Sequence, residues 1–338
     1  MRVLVTGCGG FLGSEVVRQL LRRGDEVVGV SRREYPELAS KGMTSRQADL
    51  SDLKSARAVI RDVDAVIHTA AVAGVWGPWS YFYRNNLLAT ENVVRACREQ
   101  RISTLVFTSS PSVTFDGGDQ TGVDESVGYP DRWLCHYPRT KALAEQRVLE
   151  ANGPELRTCA LRPHLIWGVG DPHLLPRVLD RAKSGRLRIV GRGSNRVDTV
   201  HVVNAAAAHL DALDHLCEAG DVASGEASLP SAAGKAYFIA QDEPVDCWDW
   251  IGEICQIGGV PAPKRRISFA AAYAIGTMLE AVWWAGRRRD EPPMTRFVAA
   301  QLAKDHYFDI SAAKRDFGYR VRVDMQQGLK ELSEEWRS

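Results

Sequence analysis

The sequence is short of most features that would place it quickly in a class. Its seven cysteines, at 8, 97, 135, 159, 217, 247 and 255, are odd in number and form no C-x-x-C pair. Neither a disulfide framework nor a redox dithiol is expected, and scattered thiols suit a reducing, cytoplasmic setting. Neither sign of charge is in excess: 43 Lys and Arg face 42 Asp and Glu, for a net charge of +1. That removes the electrostatic case for a nucleic-acid partner. There is no internal repeat, no Ser-His-Asp order and no Cys-His pairing, so solenoids and hydrolases are not supported. His68, His164 and His201 lie on strand-like runs without metal-ligand spacing, so no metal is expected. The first apolar strand begins at residue 2, which leaves no room for a signal peptide ahead of it. Long uncharged runs are missing too. The best candidate, 269–285, carries Glu280 at its centre and is barely long enough to span a bilayer. A lid or core helix over an apolar pocket is the favoured reading. The alternative is an interfacial helix followed by Arg287, Arg288 and Arg289, with membrane-surface contact or association with other enzymes through 269–289.

What is present starts at once. A β-branched run, Val3 to Thr6, is followed by Gly7, Gly10 and Gly13, and then by a helical pattern of Phe11, Leu12, Val16, Val17, Leu20 and Leu21. Gly7 lets a strand turn sharply. Gly10 removes a side chain where backbone must approach a pyrophosphate. Gly13 lets the helix lie close on the strand, with its first-turn amides, at Phe11 and Leu12, aimed at the anion. The spacing is G-x-x-G-x-x-G, and its position between strand and helix gives it weight.

Strand-like runs then alternate with helical ones: Glu26–Val30, Ala65–His68 and Thr104–Thr108 are strands, and 86–97 is a helix. An aromatic loop holds Trp76, Trp79, Tyr81, Phe82 and Tyr83. Such alternation implies an α/β fold, a Rossmann-type doubly wound parallel sheet with ligands at the strand C-terminal edge. Val200–Val203 and Tyr237–Ala240 read as returns to the sheet. Residues 1–165 and 199–242 are expected to form the dinucleotide-binding domain. Residues 166–198 and 243–338 are expected to form a smaller, discontinuous substrate domain.

The second strand ends in Ser31-Arg32-Arg33, where an NAD enzyme usually carries a carboxylate. A guanidinium binds a 2′-phosphate through forked, charge-assisted hydrogen bonds, so Arg32 and Arg33 predict NADP(H). Asp49 and Leu50, after the third strand, are placed to meet the adenine. Tyr137 is the only tyrosine with a lysine four residues on, Lys141, and that spacing puts both on one helical face. A neighbouring ammonium and the positive nicotinamide of an oxidised cofactor both favour the phenolate, so Tyr137 is expected to have a lowered pKa and to exchange protons with a substrate oxygen. A hydroxyl at Ser109-Ser110, preferably Ser110, could polarise that oxygen from the ligand edge. His136 could reach a substrate carboxylate. Trp76, Trp79, Tyr81 and Tyr83 could line an acyl pocket or simply pack.

Thr6-Gly7-x-x-Gly10-x-x-Gly13, Asp49-Leu50, Asn86 to Asn92, Ser109-Ser110, Tyr137-x-x-x-Lys141 and Leu161-Arg162-Pro163 together resemble the extended short-chain dehydrogenase/reductase family. The motifs cover almost the whole chain in the family's order. The C-terminal run 305–310, with Lys314 and Phe317-Gly318-Tyr319, is similar to its 3β-hydroxysteroid dehydrogenase branch. Within that branch, Tyr137-Pro-Arg-Thr-Lys141, Leu161 to Gly168, Gly170 to Pro176 and Gly234 to Ile239 resemble the 2-alkyl-3-oxoalkanoate reductases of bacterial long-chain olefin biosynthesis. The resemblance implies a Ser110/Tyr137/Lys141 triad, Ala70 and Ala71 along the cofactor groove, and Pro163, Leu165 and Ile166 beside the nicotinamide. It also implies a homodimer and an NADPH-dependent reduction of a large hydrophobic ketone. A 3β-hydroxysteroid or sterol dehydrogenase would use the same pocket. A nucleotide-sugar epimerase is disfavoured by Arg32, and a dehydratase by Pro111-Ser112, where such enzymes carry Asp-Glu. A dinucleotide sensor would be expected to have lost Tyr137 or Lys141.

Overall fold

Seven strands pair side by side, all parallel: β1 (Arg2–Thr6), β2 (Glu26–Ser31), β3 (Thr44–Gln47), β4 (Ala65–His68), β5 (Thr104–Thr108), β6 (Arg157–Pro163) and β7 (Lys235–Ile239). Their order is β7-β6-β5-β4-β1-β2-β3. The computed structural model describes residues 1–218 and 231–337. The stretch 219–230, which falls within the expected dinucleotide-binding part, and residue 338 lie outside the described residues.

Alternation along each strand builds a core on both faces. Val3, Val5, Ile67, Val106 and Leu161 face α1 (Phe11–Arg23) and α4 (Val202–Glu218), meeting Val16, Leu20, Ala205 and Leu213. Leu4, Val28, Val66, Leu105 and Phe107 face the other way. They meet helix Leu53–Val59, α2 (Ala89–Glu99) and α3 (His136–Glu150) through Ala56, Val93, Ala144 and Val148. This is the doubly wound Rossmann-type sheet expected. The chain winds outward in both directions from β1 and β4, so the strand C-terminal ends open a crevice between those two.

Two stretches depart from the sequence reading. Val200–Val203 does not rejoin the main sheet. Val200 and His201 pair only with Ile166 and Trp167, and Val202 already begins α4. The alanine run 205–208 favours helix, and packing against α1 outweighs the β-branched trio. The aromatic loop is also shorter than expected. Helix starts at Trp79, passes through a π-helical stretch at Tyr83–Leu88 and runs on into α2.

A further core gathers Trp167, Leu175, Val190, Val197, Trp250, Ile254, Ala272, Ala299 and Leu332. Phe308, Ile310 and Phe317, late in the chain, pack instead into the sheet's core, with Phe308 stacked on Phe238 at 4.2 Å between ring centroids. The apolar run forms α5 (Phe269–Ala285), which packs on α6 (Arg296–Ala303). A Cβ on Gly276 would come within 2.6 Å of the Thr295 backbone, so only glycine allows this approach.

Candidate active site

β1 ends by turning through Gly7, at φ +67, whose N–H donates to the Val30 carbonyl at 2.8 Å. A Cβ there would stand 2.8 Å from the Ala70 backbone. At Gly13 the constraint is tighter, since a Cβ would lie 2.2 Å from the Gly7 carbonyl oxygen. Helix α1 therefore docks on the loop through bare backbone. Its N-cap, Gly10, offers no side-chain cap, and a Cβ at Gly10 meets only the Gly7 oxygen at 3.2 Å. The space beyond is the crevice, and the first-turn amides open onto it.

Gly7, Gly10, Phe11, Leu12 and Gly13 line one cleft of about 930 Å³. So do Arg32, Arg33, Asp49, Leu50, Ala70, Ala71, Ser110, Tyr137, Lys141, Pro163, Leu165 and Ile166. The residues expected from the sequence to hold the cofactor or act in catalysis thus converge on the same groove, along the strand C-terminal edge. The cleft has the form a dinucleotide needs. A glycine cradle and an uncapped helix N-terminus await the diphosphate, guanidinium groups stand at one end, and a phenol with an ammonium stands at the other.

At the cationic end, the Arg32 Nη1 donates to Asn85 Oδ1 at 3.3 Å, and Gln47 holds the Arg32 carbonyl at 2.7 Å. Asp49 accepts from the Ser51 N–H and hydroxyl, at 2.9 and 2.7 Å, and from Arg84 at 3.2 Å. The Ser51 hydrogen bonds, opposed by partial desolvation, leave its carboxyl below the ordinary range. Arg84 and Tyr35 were not anticipated. The Tyr35 ring lies where a Gly9 Cβ would be, 1.9 Å from its Cζ. No local pattern announces that contact, because it joins the end of β2 to the glycine loop through space.

At the catalytic end, α3 begins one residue before Tyr137, with Pro138 in its first turn. The Ser110 hydroxyl hydrogen-bonds Tyr137 and lies 2.9 Å from the Ser112 hydroxyl. The Ser109 hydroxyl, by contrast, is buried without a partner among the described residues. Lys141 is buried under the cleft floor. Its Nζ donates to the Thr108 carbonyl at 2.5 Å and sits 4.0 Å from the Phe107 ring centroid. Desolvation pushes its pKa down to about 7, with Glu145 opposing.

Without a cofactor the Tyr137 pKa is not lowered. Burial raises it, and the Ser110 hydrogen bond only partly offsets that. Lys141, whose Nζ donates to the Thr108 carbonyl, is not among the groups that shift it. In the protein alone Tyr137 is a neutral phenol, holding the proton that a reduction consumes.

Behind these groups His68 braces the end of β4. The Thr90 hydroxyl donates its one proton to the Asn86 carbonyl at 2.6 Å, so at His68 it accepts from Nε2–H, at 3.0 Å. Nδ1 therefore accepts from the Thr6 hydroxyl, at 2.6 Å. Burial pushes the His68 pKa down to about 3. Asn86 clamps Val72, at 2.8 and 3.1 Å, and Thr140, at 3.1 Å, which ties the cleft rim to α3.

The model of the 3-beta hydroxysteroid dehydrogenase/isomerase family matches residues 4–270. The chain belongs to that family. A 2-alkyl-3-oxoalkanoate reductase of Stenotrophomonas maltophilia is 44% identical over 335 residues, covering 98% of each chain. A second, from Shewanella oneidensis, is also 44% identical, covering 97% of this chain and 84% of that one. A mouse sterol-4-alpha-carboxylate 3-dehydrogenase, decarboxylating, is 32% identical, covering 96% and 88%. The chain is an oxidoreductase acting at the CH–OH/ketone level. Among solved structures, MoeE5 in complex with UDP-glucose and NAD superposes with a TM-score of 0.73 at 24% identity, covering 100% of this chain and 99% of that one. At that identity the likeness speaks for the extended short-chain dehydrogenase/reductase fold alone.

His136 and Trp79, named above as substrate-side candidates, meet each other on the flank of α3. His136 packs its ring edge-on against Trp79, 5.6 Å between centroids, and Arg139 covers the same indole at 4.7 Å. Trp79 is thereby engaged on the flank of α3, and neither it nor Trp76, Tyr81 or Tyr83 lines the cleft. Asp171, His173 and Leu174 also line it, residues noted in the sequence only within the resemblance over Gly170 to Pro176 and given no role there. The Asp171 carboxylate holds the amides of residues 173 to 175 at 2.8 to 3.2 Å, which fixes this wall.

Proposed function

We propose that this oxidoreductase uses NADPH to reduce the 3-keto group of a large hydrophobic substrate, converting a 2-alkyl-3-oxoalkanoate to a 2-alkyl-3-hydroxyalkanoate. The observation that carries the reading is the neutral Tyr137 phenol, hydrogen-bonded to Ser110, at one end of a glycine-floored cleft whose other end holds Arg32 and Arg33. The 44% identity to proteins named for this reduction, over nearly the whole chain, supports the substrate class.

Gly7, Gly10, Gly13 and the start of α1 would hold the diphosphate, with Ala70 and Ala71 along the groove. Asp49 and Leu50 would flank the adenine, and Pro163, Leu165 and Ile166 the nicotinamide. A bound dinucleotide would supply the hydride. Ser110 orients the ketone oxygen and stabilises the charge that develops on it. Tyr137 delivers its hydroxyl proton to that oxygen. Lys141, one helical turn on from Tyr137, would stabilise the phenolate left behind and reach a ribose hydroxyl. The two arginines, standing where an NAD enzyme usually ends β2 in a carboxylate, favour a 2′-phosphate.

A substrate panel with NADPH oxidation followed by absorbance tests the reading. A 2-alkyl-3-oxo acid is expected to turn over fastest, ahead of a 3-oxosteroid, with a nucleotide sugar inert. Preference for the steroid would replace the acyl reading with the sterol one. For the cofactor, kcat/KM with NADPH is expected to exceed that with NADH by about tenfold or more, the size of one charge-assisted contact. Equal values would overturn the assignment to Arg32 and Arg33.

A further inference from the structure

Helix α5 shows two faces. Inward, Ala272 and Gly276 are buried, and Glu280 accepts from the Arg296 N–H and Nε, both at 2.7 Å. The one carboxylate of the helix is thus turned in to meet α6. Outward stand Ile275 (40% exposed), Met278 (58%), Val282 (52%) and Trp284 (79%), with Ala271, Ala274, Ala281 and Ala285 between them. Of the eight large apolar side chains exposed among the described residues, four are on this helix. Single exposed apolar residues need no explanation, whereas a contiguous stripe marks a contact surface.

Charge identifies the occupant. Lys264, Arg265 and Arg266 precede the helix, and Arg287, Arg288 and Arg289 follow it, all exposed. Lys264, Arg265, Arg287 and Arg289 make no ion pair among the described residues, whereas Arg288 pairs with Asp290 at 2.7 Å. Six cations in 26 residues stand out in a chain of net charge +1. Both ends of the stripe are basic, and no carboxylate of the helix faces outward. Pairing the stripe with a second copy, parallel or antiparallel, would set cation cluster against cation cluster. An anionic lipid surface suits both features, since it takes the apolar stripe between its headgroups and the cations at its phosphates. At 17 residues, about 25 Å long, α5 can lie in that plane, and no helix among the described residues is long and apolar enough to cross a membrane.

We propose that α5 and its basic flanks dock the protein on the surface of an anionic phospholipid bilayer. The contact lies beside the cleft. The Trp76 Nε1 donates to the Arg288 carbonyl at 3.2 Å, tying the segment after α5 to the chain that leaves Ala70–Ala73 on the cleft wall. Docking therefore sets the cleft rim close to the lipid, whichever ketone is reduced.

Flotation of the full-length protein, with NADPH present, tests this. The vesicles would be phosphatidylcholine alone, or phosphatidylcholine with an equal share of phosphatidylglycerol. The protein is expected to float with the phosphatidylglycerol vesicles about tenfold or more better than with phosphatidylcholine, and less well at high salt. Met278→Glu with Val282→Glu is expected to abolish flotation, and Arg287→Gln with Arg289→Gln to weaken it at low salt. NADPH affinity and Tm of both should match the parent protein, since these side chains face solvent. No flotation with phosphatidylglycerol, or unchanged flotation of both variants, would overturn the proposal. So would a dimer in sedimentation that the Met278/Val282 variant dissolves, because it would assign the stripe to a second copy.

Discussion

Tyr137 keeps its proton because burial costs the phenolate more than the Ser110 hydrogen bond returns. The Y-x-x-x-K spacing was legible because a helix puts residues four apart on one face. The ionisation was not, because it depends on how deeply the fold buries the phenol and on the Ser110 hydroxyl brought beside it, while Lys141 is turned to the Thr108 carbonyl. That lysine's pKa, about 7 against an ordinary 10.5, makes it a stability cost. Below about 7 the buried group is charged and the full cost applies. Between 7 and 10.5 the unfolded chain binds the extra proton, so the cost fades as pH rises. Lys141→Met is expected to raise Tm at pH 6, by an amount that shrinks towards pH 10, in thermal unfolding of the cofactor-free protein. Asp198 runs the other way. Burial pushes its pKa up to about 7, and one carboxyl oxygen has no partner among the described residues while the other takes the Phe308 N–H at 2.7 Å. The folded state holds the extra proton between 3.8 and 7, so this site loses stability as pH rises through that window. Asp198→Asn should raise Tm at pH 8 and change it little at pH 4. A variant equally shifted at both pH values would contradict the assignment.

Among the elements, the opening strand, glycine turn and helix are the most legible part of the molecule. Their local residue choices and their tertiary contacts demand the same thing. Gly13 is the sharpest case, with a Cβ only 2.2 Å from the Gly7 oxygen. Gly13→Ala must push α1 off the loop. A loss of about 1–3 kcal/mol in stability is expected, measured by denaturant unfolding, with NADPH affinity falling too. Unchanged affinity would mean that the loop does not carry the diphosphate. Where local preference and packing disagree, the sequence misleads. The Val200–Val203 run has strand-like residues, yet α4 takes Val202 and Val203 because its alanines must reach α1. The aromatics from Trp79 onward sit in helix because Trp79 is gripped by His136 and Arg139 of α3, a contact no periodicity reveals. At α5, the central Glu280 argued against a membrane span, and the structure gives the reason: it caps the start of α6. Glu280→Ala should lower Tm by a few degrees, the scale of about 1 kcal/mol in a chain of this size, and leave NADPH binding unchanged. A variant with unaltered Tm would show that the Glu280–Arg296 contact is idle.

For the whole molecule, the sheet assembles one groove from parts far apart in the chain. Residues 7, 10–13, 32–33, 49–50, 70–71, 110, 137, 141, 163 and 165–166 meet there because every strand ends at the same edge. The far wall at Asp171 to Leu174 and the outward stripe of α5 depend on how later segments pack, and local sequence carries little of that. The central claim is that the Tyr137 hydroxyl gives its proton to a ketone reduced at the expense of NADPH. Its most direct test is NADPH oxidation with a 2-alkyl-3-oxo acid by the parent protein and by Tyr137→Phe, alongside calorimetric NADPH binding to both. The account predicts that turnover by the variant falls by about a hundredfold or more, the usual worth of a general acid, while NADPH affinity stays within about twofold. A variant that retains more than about a tenth of the parent's turnover, with the same NADPH affinity, would contradict it, because another group would then be supplying the proton.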